Sequence, residues 1–176
     1  VSITRTLENN SIAYFTSSKG YEPGGLNNGV PYTDGSGNRL LGSFGKEEAT
    51  QNELGWKGTI NDGKTSIAIA YFDIDYKDRA FQVVAPNPGG PGLIEYVTNI
   101  GDSEQNGLEF EITTKATDNL TLSLAAGWVD SEFTEGTVLA DGTDLSGLTP
   151  SGTIDNGFLI AADYANTIFN GTEFTL

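Results

Sequence analysis

The sequence contains no cysteine, no methionine and no histidine among its 176 residues. The lack of cysteine excludes disulfide bonds and thiolate metal sites within the chain. The lack of both histidine and cysteine removes the most common general base, a common nucleophile and the soft metal ligands. We therefore expect no enzyme activity, no catalytic residue, no metal site and no bound cofactor.

Positive charge is also scarce, since 9 Lys and Arg residues oppose 24 Asp and Glu residues and leave a formal net charge of −15. Nucleic acid is not an expected partner, because its phosphates are bound by clustered Lys and Arg. Long apolar runs are missing as well, and no segment approaches the roughly 18 apolar residues of a membrane-spanning helix. A membrane protein with this sequence would have to be a β-barrel, the other structure that satisfies its backbone in lipid.

Acidic residues occur in close pairs along the chain, and such pairs can hydrolyse glycosides across a cleft. The pairs are Glu47 and Glu48, Asp73 and Asp75, and Glu109 and Glu111. No nucleophile or base arrangement accompanies them, whereas alternating acids on one side of a strand are typical of a hydrated barrel interior. We interpret them as a polar lining.

A two-residue alternation of apolar and polar side chains runs through residues 107–128, interrupted by Asp118 and Asn119. Successive side chains of a strand point to opposite faces, so this pattern predicts a hairpin with one apolar face. The residues predicted to face lipid are Leu108, Phe110, Ile112, Leu122, Leu124 and Trp128. Those predicted on the opposite side are Glu109, Glu111, Thr121 and Ser123.

Periodicity and turn residues predict an all-β fold with about eight antiparallel strands. The strands are predicted at residues 1–7, 11–18, 47–60, 64–80, 107–117, 120–133, 158–164 and 171–176. Tight connections alternate with long ones at residues 20–46, 81–106 and 134–157. This alternation is typical of an outer-membrane barrel, whose turns lie at one end and whose loops lie at the other. Positive φ is expected in the tight Asn-Asp-Gly and Asp-Asn turns.

The strand at residues 64–80 tests which side meets lipid, because its odd-numbered positions include Asp73, Asp75 and Lys77. A basic residue facing the middle of the hydrocarbon costs ~2–4 kcal/mol, and an acidic one costs less. The even-numbered side is therefore predicted to meet lipid, and Ile67 and Ile69 are predicted to face inward.

The amino-acid sequences of several segments, and their order along the chain, resemble the barrel region of TonB-dependent outer-membrane receptors. The matching segments are residues 19–27, Glu47 followed by residues 52–57, residues 68–76, and residues 99–102 with 107–109. The resemblance implies a non-catalytic receptor that imports a scarce small nutrient across the bacterial outer membrane. It also implies two partners, the lipid of that membrane and the TonB energy-coupling system, which is engaged through an N-terminal part that this chain does not show.

Receptors of that family combine a plug domain with a barrel of about 22 strands. The resemblance therefore implies that residues 1–176 form one partial β-barrel domain, either an interior stretch of the barrel or a truncated copy. Open edge strands would then pair with the rest of a barrel or with further copies of the chain. The alternative is an extracellular β-rich structural or adhesive subunit that assembles by strand pairing.

Aromatic and polar residues of the first two long connections are the candidate ligand-facing residues, because such side chains stack on and hydrogen-bond to small molecules. They are Tyr21, Tyr32, Arg39, Gln82, Asn87 and Tyr96. The strongly acidic chain favours a neutral or cationic ligand over a bare anion. Residues 34–38 and 141–144 contain Asp-Gly pairs, which turn chemistry explains and which calcium binding would also use.

Overall fold

A computed structural model describes residues 1–27, 42–87, 91–139, 142–168 and 172–175. The regular structure in these residues is β-strand. The ten strands are β1 (Ser2–Thr6), β2 (Ile12–Glu22), β3 (Gly25–Leu26), β4 (Ser43–Phe44), β5 (Glu47–Ile60), β6 (Thr65–Pro86), β7 (Leu93–Lys115), β8 (Leu120–Phe133), β9 (Asn156–Ile168) and β10 (Thr172–Thr175). No helix in the described part of the chain is long and apolar enough to cross a membrane.

Eight of the strands form one antiparallel sheet in the order β1-β2-β5-β6-β7-β8-β9-β10. Each strand therefore pairs with its neighbour along the chain, apart from the small separate β3-β4 ladder between β2 and β5. The all-β antiparallel prediction is confirmed, as are the β5-β6 and β7-β8 hairpins. Strands β1 and β10 are the two edges of the sheet, as an open portion of a barrel requires.

The tight turns differ from one another in backbone geometry. Asn61 and Asp62 adopt φ of 54° and 55° and Gly63 follows at 82°, which confirms the positive φ expected there. For the Asp118-Asn119 turn the expectation was wrong, because neither residue is among those with positive φ. Instead the Asn119 backbone N–H donates to Thr117 Oγ1 at 3.2 Å, and its side-chain Nδ2 donates to the Ala165 carbonyl at 2.7 Å.

The predicted loop at residues 81–106 was wrong. Strands β6 and β7 continue far beyond the predicted strand ends and pair up to Pro86 and Leu93. Two register shifts interrupt the ladder between Tyr76 and Ala80, where Asp78 takes φ of 55° and Gly101 takes 139°. Bulges re-aim a strand without ending it, so the chain keeps pairing past this point.

The register places the two kinds of side chain on opposite faces of the sheet. Directly opposed residues of antiparallel strands share a face, and Leu108 opposes Trp128 while Ile112 opposes Leu124. We call this side the apolar face; its members in β7 and β8 include Leu108, Phe110, Ile112, Leu122, Leu124 and Trp128. The opposite side, the polar face, carries Glu109, Glu111, Thr121 and Ser123. The predicted separation of these residues onto two faces is confirmed.

The prediction for the side of β6 that joins the apolar face was wrong. Ile67 opposes Ile112, Ile69 opposes Phe110 and Tyr71 opposes Leu108, so the odd-numbered side belongs to the apolar face. The charges on that side do not contradict this assignment, because they begin only where the apolar residues end. Asp73 opposes Asn106, and Asp75 opposes Glu104, so the neighbouring strand turns polar at the same level.

Few large side chains are enclosed, as expected of a single curved sheet. Among the described residues, the buried hydrophobic ones are Phe72 and Phe133. Members of the apolar face remain open, with Leu54 at 60%, Trp128 at 53% and Ile160 at 70% exposure. A contiguous apolar surface of this kind marks an interaction with another protein or a membrane.

Candidate functional site

A groove of about 550 Å³ lies at the long-connection end of the sheet, between the β6-β7 hairpin and the connection that follows β8. Its wall on the hairpin is formed by residues 83–86 of β6 and by Tyr96, Thr98, Asn99 and Ile100 of β7, which the register brings together. The residues that matter for its chemistry are Val83, Ala85, Tyr96, Thr98, Ile100 and Val138. No Asp, Glu, Lys or Arg is among the described residues that line it.

Aromatic and cationic side chains of β6 and β8 pack together next to the two register shifts of β6. The Phe81 and Phe133 rings meet edge to face, with centroids 5.6 Å apart. The Arg79 guanidinium lies 4.5 Å from the Tyr76 ring centroid and 4.8 Å from that of Phe81. Arg79 also donates to Ser103 Oγ at 3.2 Å. Stacking and hydrogen bonding together hold this arginine in place.

Two asparagine side chains fasten the first long connection to β7. Asn27 acts as a backbone mimic, because its Nδ2 donates to the Val97 carbonyl and its Oδ1 accepts from the Val97 N–H, both at 2.8 Å. Asn99 Oδ1 accepts from the Gly45 N–H at 2.6 Å, while its Nδ2 donates to the carbonyls of Gly45 and Asp78. We call Asn27 and Asn99 the asparagine latch. Segments 54 and 70 residues apart in the chain are joined by it.

The candidate ligand-facing residues fall in different places. Tyr96 lies in β7 and lines the groove. Gln82 lies in β6 beside Val83, is not among the described residues that line the groove, and donates to Glu95 Oε2 at 3.0 Å. Asn87 closes the hairpin tip through its N–H to the Gly92 carbonyl. Tyr21 is 73% exposed and opposes Glu48, far from the groove in register.

Tyr32 and Arg39 lie outside the described residues, as do residues 34–38 with the first Asp-Gly pair. For the second pair, Asp144 Oδ1 accepts hydrogen bonds from the Ser146 N–H at 2.9 Å and its Oγ at 2.6 Å. These two bonds hold the pKa of Asp144 below its usual value. Across the part of the chain that the structure describes, no group of three or more acidic side chains is arranged to hold a metal ion.

Sequence reasoning missed Val83, the asparagine latch and Arg79. The sequence did contain a signal for Val83, since apolar and polar residues alternate in residues 81–86 and 93–98, as in paired strands around a Pro- and Gly-rich tip. The latch carries no local signal, because each asparagine bonds to a residue more than 50 positions away in the chain.

The polar face carries its own hydrogen-bonded groups. Tyr14 Oη donates to Glu53 Oε1 at 2.6 Å, and the Lys57 ammonium lies 5.5 Å from the Tyr14 ring centroid. Gly55 between them has no room for a side chain, since an added Cβ would lie 2.3 Å from the Tyr14 ring. Small and polar residues thus alternate on this face, as expected of a hydrated barrel interior rather than of a filled core.

Acidic residues continue the apolar face at its loop end. Glu104 opposes both Asp75 and Glu132 across the ladder. Partial removal from water and a hydrogen bond with Glu132 raise the pKa of Glu104, and the charges of Glu132 and Asp75 add to the effect. The apolar surface therefore ends at an acidic rim, which is formed by Asp75, Glu104 and Glu132.

A family model described as TonB dependent receptor-like, beta-barrel, matches residues 3–174. The chain belongs to the TonB-dependent receptor β-barrel family. This is a family of outer-membrane receptors and transporters, in agreement with the open antiparallel sheet and its alternating faces.

A solved TonB-dependent receptor shares the fold. The chain is similar to the ferric yersiniabactin uptake receptor FyuA from Yersinia pestis, with a TM-score of 0.66 and 18% identity. The match covers 96% of this chain and 23% of the FyuA chain, so this chain spans about a quarter of that receptor's length. No curated protein matches the sequence.

Proposed function

We propose that residues 1–176 form part of the transmembrane barrel of an outer-membrane receptor that imports a scarce small nutrient. The observation that carries this proposal is the uncovered apolar face, which spans β1 to β9 and ends at the acidic rim. Water is a poor environment for so much contiguous apolar surface, whereas lipid is a good one. The polar face then lines the interior of the barrel.

The two edges of the sheet require further strands. Backbone groups of β1 and β10 that face away from their neighbours would be unpaired in hydrocarbon, where each costs several kcal/mol. We propose that additional strands of the same receptor complete the barrel. Energy for uptake would come from the TonB system, which acts on a part of the receptor outside residues 1–176.

Receptor function is supported by the long-connection end of the sheet. There the described lining of the groove carries no charged side chain, and the asparagine latch joins the first long connection to β7. These features suit ligand capture, and no group on the described polar face has the geometry of a nucleophile with its base.

Charge placed on either face tests the membrane assignment. Phe110→Arg puts a cation in the middle of the apolar face, between Leu108 and Ile112, at a cost of ~2–4 kcal/mol in hydrocarbon. Glu109→Arg is the matched control, because the adjacent residue lies on the polar face. We expect the complete protein carrying Phe110→Arg to lose most of its folded, heat-modifiable form in outer-membrane fractions, while Glu109→Arg retains it. Equal loss from both substitutions would contradict the face assignment.

A further inference from the structure

We propose that the groove between the β6-β7 hairpin and the connection after β8 binds the apolar part of an uncharged, amphipathic small molecule, with Tyr96 and Thr98 as its hydrogen-bonding groups. This inference rests on the proposed receptor function and names the class of ligand. Sugars joined to an aromatic or aliphatic group represent that class.

The size and lining of the groove favour such a ligand. A volume of about 550 Å³ falls within the ~300–1,000 Å³ of small-molecule sites. Val83, Ala85, Ile100 and Val138 supply aliphatic walls, and apolar surface buried against them stabilises binding in proportion to its area. A fully polar sugar would gain little from such walls, and a ligand with an apolar portion gains most.

Polar recognition in the groove is confined to neutral groups. The hydroxyls of Tyr96 and Thr98 point from the same side of the hairpin as Val83, because Tyr96 opposes Val83 and Thr98 opposes Phe81. The amide of Asn99 also reaches the groove, but it is engaged by Gly45 and Asp78 in the asparagine latch. Hydroxyl groups bind hydroxyls, ethers and carbonyls of a ligand without requiring a charge on it.

Anionic ligands are disfavoured by the absence of any cation among the described lining residues and by the net charge of −15 of the whole chain. A carboxylate or phosphate entering the groove would lose its hydration without gaining an opposite charge. Burial of an unpaired charge is strongly unfavourable. The same argument disfavours a cationic group inside the groove, although the surrounding acidic surface would attract a cation to its mouth.

Binding can be tested with two probes that share an aromatic ring and differ in charge. Saturation-transfer NMR on the complete protein in detergent would compare phenyl β-glucoside, which is uncharged, with benzoate, which is anionic. We expect transfer to the phenyl ring of the glucoside and at least tenfold weaker binding of benzoate. Equal binding of both probes, or binding of benzoate alone, would overturn the assignment of ligand class.

Two neighbouring substitutions locate the site. Val83→Asp places a charge on the groove wall, whereas Gln82→Asp places the same charge on the next residue, which is not among the described lining residues and hydrogen-bonds to Glu95. We expect Val83→Asp to weaken glucoside binding at least tenfold and Gln82→Asp to leave it within about twofold. Unchanged binding in Val83→Asp would overturn the site.

Membrane assembly separates this inference from the receptor proposal. Both hairpin variants are expected to reach the outer membrane in the folded, heat-modifiable form, because the hairpin tip lies beyond the apolar face. Normal assembly with no glucoside binding by the unmodified protein would overturn the groove as a ligand site and leave the receptor function standing. Failure of the Phe110→Arg test would overturn the receptor function itself.

Discussion

Removal of the Asn27 side chain is expected to release the first long connection from β7. Asn27→Ala deletes two hydrogen bonds to Val97, both 2.8 Å long, one to its carbonyl and one from its N–H. Each hydrogen bond stabilises by about 1 kcal/mol, so the docked state loses about 2 kcal/mol. A tenfold change in an equilibrium constant corresponds to about 1.4 kcal/mol, so the equilibrium constant between the docked and released states shifts roughly 30-fold.

Hydrogen exchange at the Val97 amide reports this release directly, because its N–H is the donor to Asn27 Oδ1. We expect exchange of a peptide covering Val97 to accelerate by roughly 30-fold in Asn27→Ala, following the loss of local stability. Asn119→Ala is the control, since it removes a side-chain hydrogen bond to Ala165 at the opposite end of the sheet. Unchanged exchange at Val97, or the same acceleration in the control, would refute the latch.

Two further predictions concern packing and pH. Gly107→Ala should destabilise the sheet by roughly 1–3 kcal/mol in denaturant unfolding, because its new Cβ would lie 2.5 Å from the Phe72 ring. Gly127→Ala should change stability by far less, since the nearest atom to its Cβ lies 4.0 Å away; similar losses in both would contradict the register. The pKa of Asp144 is lowered in the folded state. Its contribution to the stability of the folded state is therefore present above the ordinary aspartate pKa and is lost as the pH falls through the lowered value. The protection of the Ser146 amide, taken as the ratio of its intrinsic to its observed exchange rate at each pH, should therefore fall in acid, and Asp144→Asn should remove that pH dependence of protection; an unchanged protection profile in Asp144→Asn would contradict the assignment.

Local sequence patterns predicted the hairpin from Leu108 to Trp128 because alternation over adjacent strands is a local property. Both strands and the short turn between them are contained in about twenty residues, and the register follows from the two apolar sets. The same logic predicted the β5-β6 hairpin around its Asn-Asp-Gly turn.

For β6 the prediction of faces was wrong because one strand crosses two environments. Ile67, Ile69 and Tyr71 belong to the apolar face, yet Asp73 and Asp75 follow on the same side. The prediction treated all positions of the strand as equally deep in the membrane, so the charged residues decided the assignment of the whole odd-numbered side. The neighbouring strand supplies the missing information, because it also becomes polar at Asn106 and Glu104.

Contacts between distant segments were beyond prediction. The bonds of Asn27 to Val97 and of Asn99 to Gly45 depend on where Asn27 and Gly45 lie relative to β7 in the folded chain. Their energies are small individually, and nothing in the flanking residues distinguishes these asparagines from others in polar connections. Long-range geometry of this kind is a property of the folded chain.

Nearest-neighbour strand order has a consequence for how such a sheet can change in evolution. Each pair of strands with its tight turn is a unit whose hydrogen bonds are made to adjacent units on either side. Duplication or deletion of a whole unit preserves which end carries the tight turns and which end carries the long connections. Gain or loss of a single strand would instead invert the direction of every strand after it, so that long connections would emerge on the wrong side of the membrane. The sheet can therefore be enlarged or reduced by hairpins, which agrees with the even strand numbers of bacterial outer-membrane barrels.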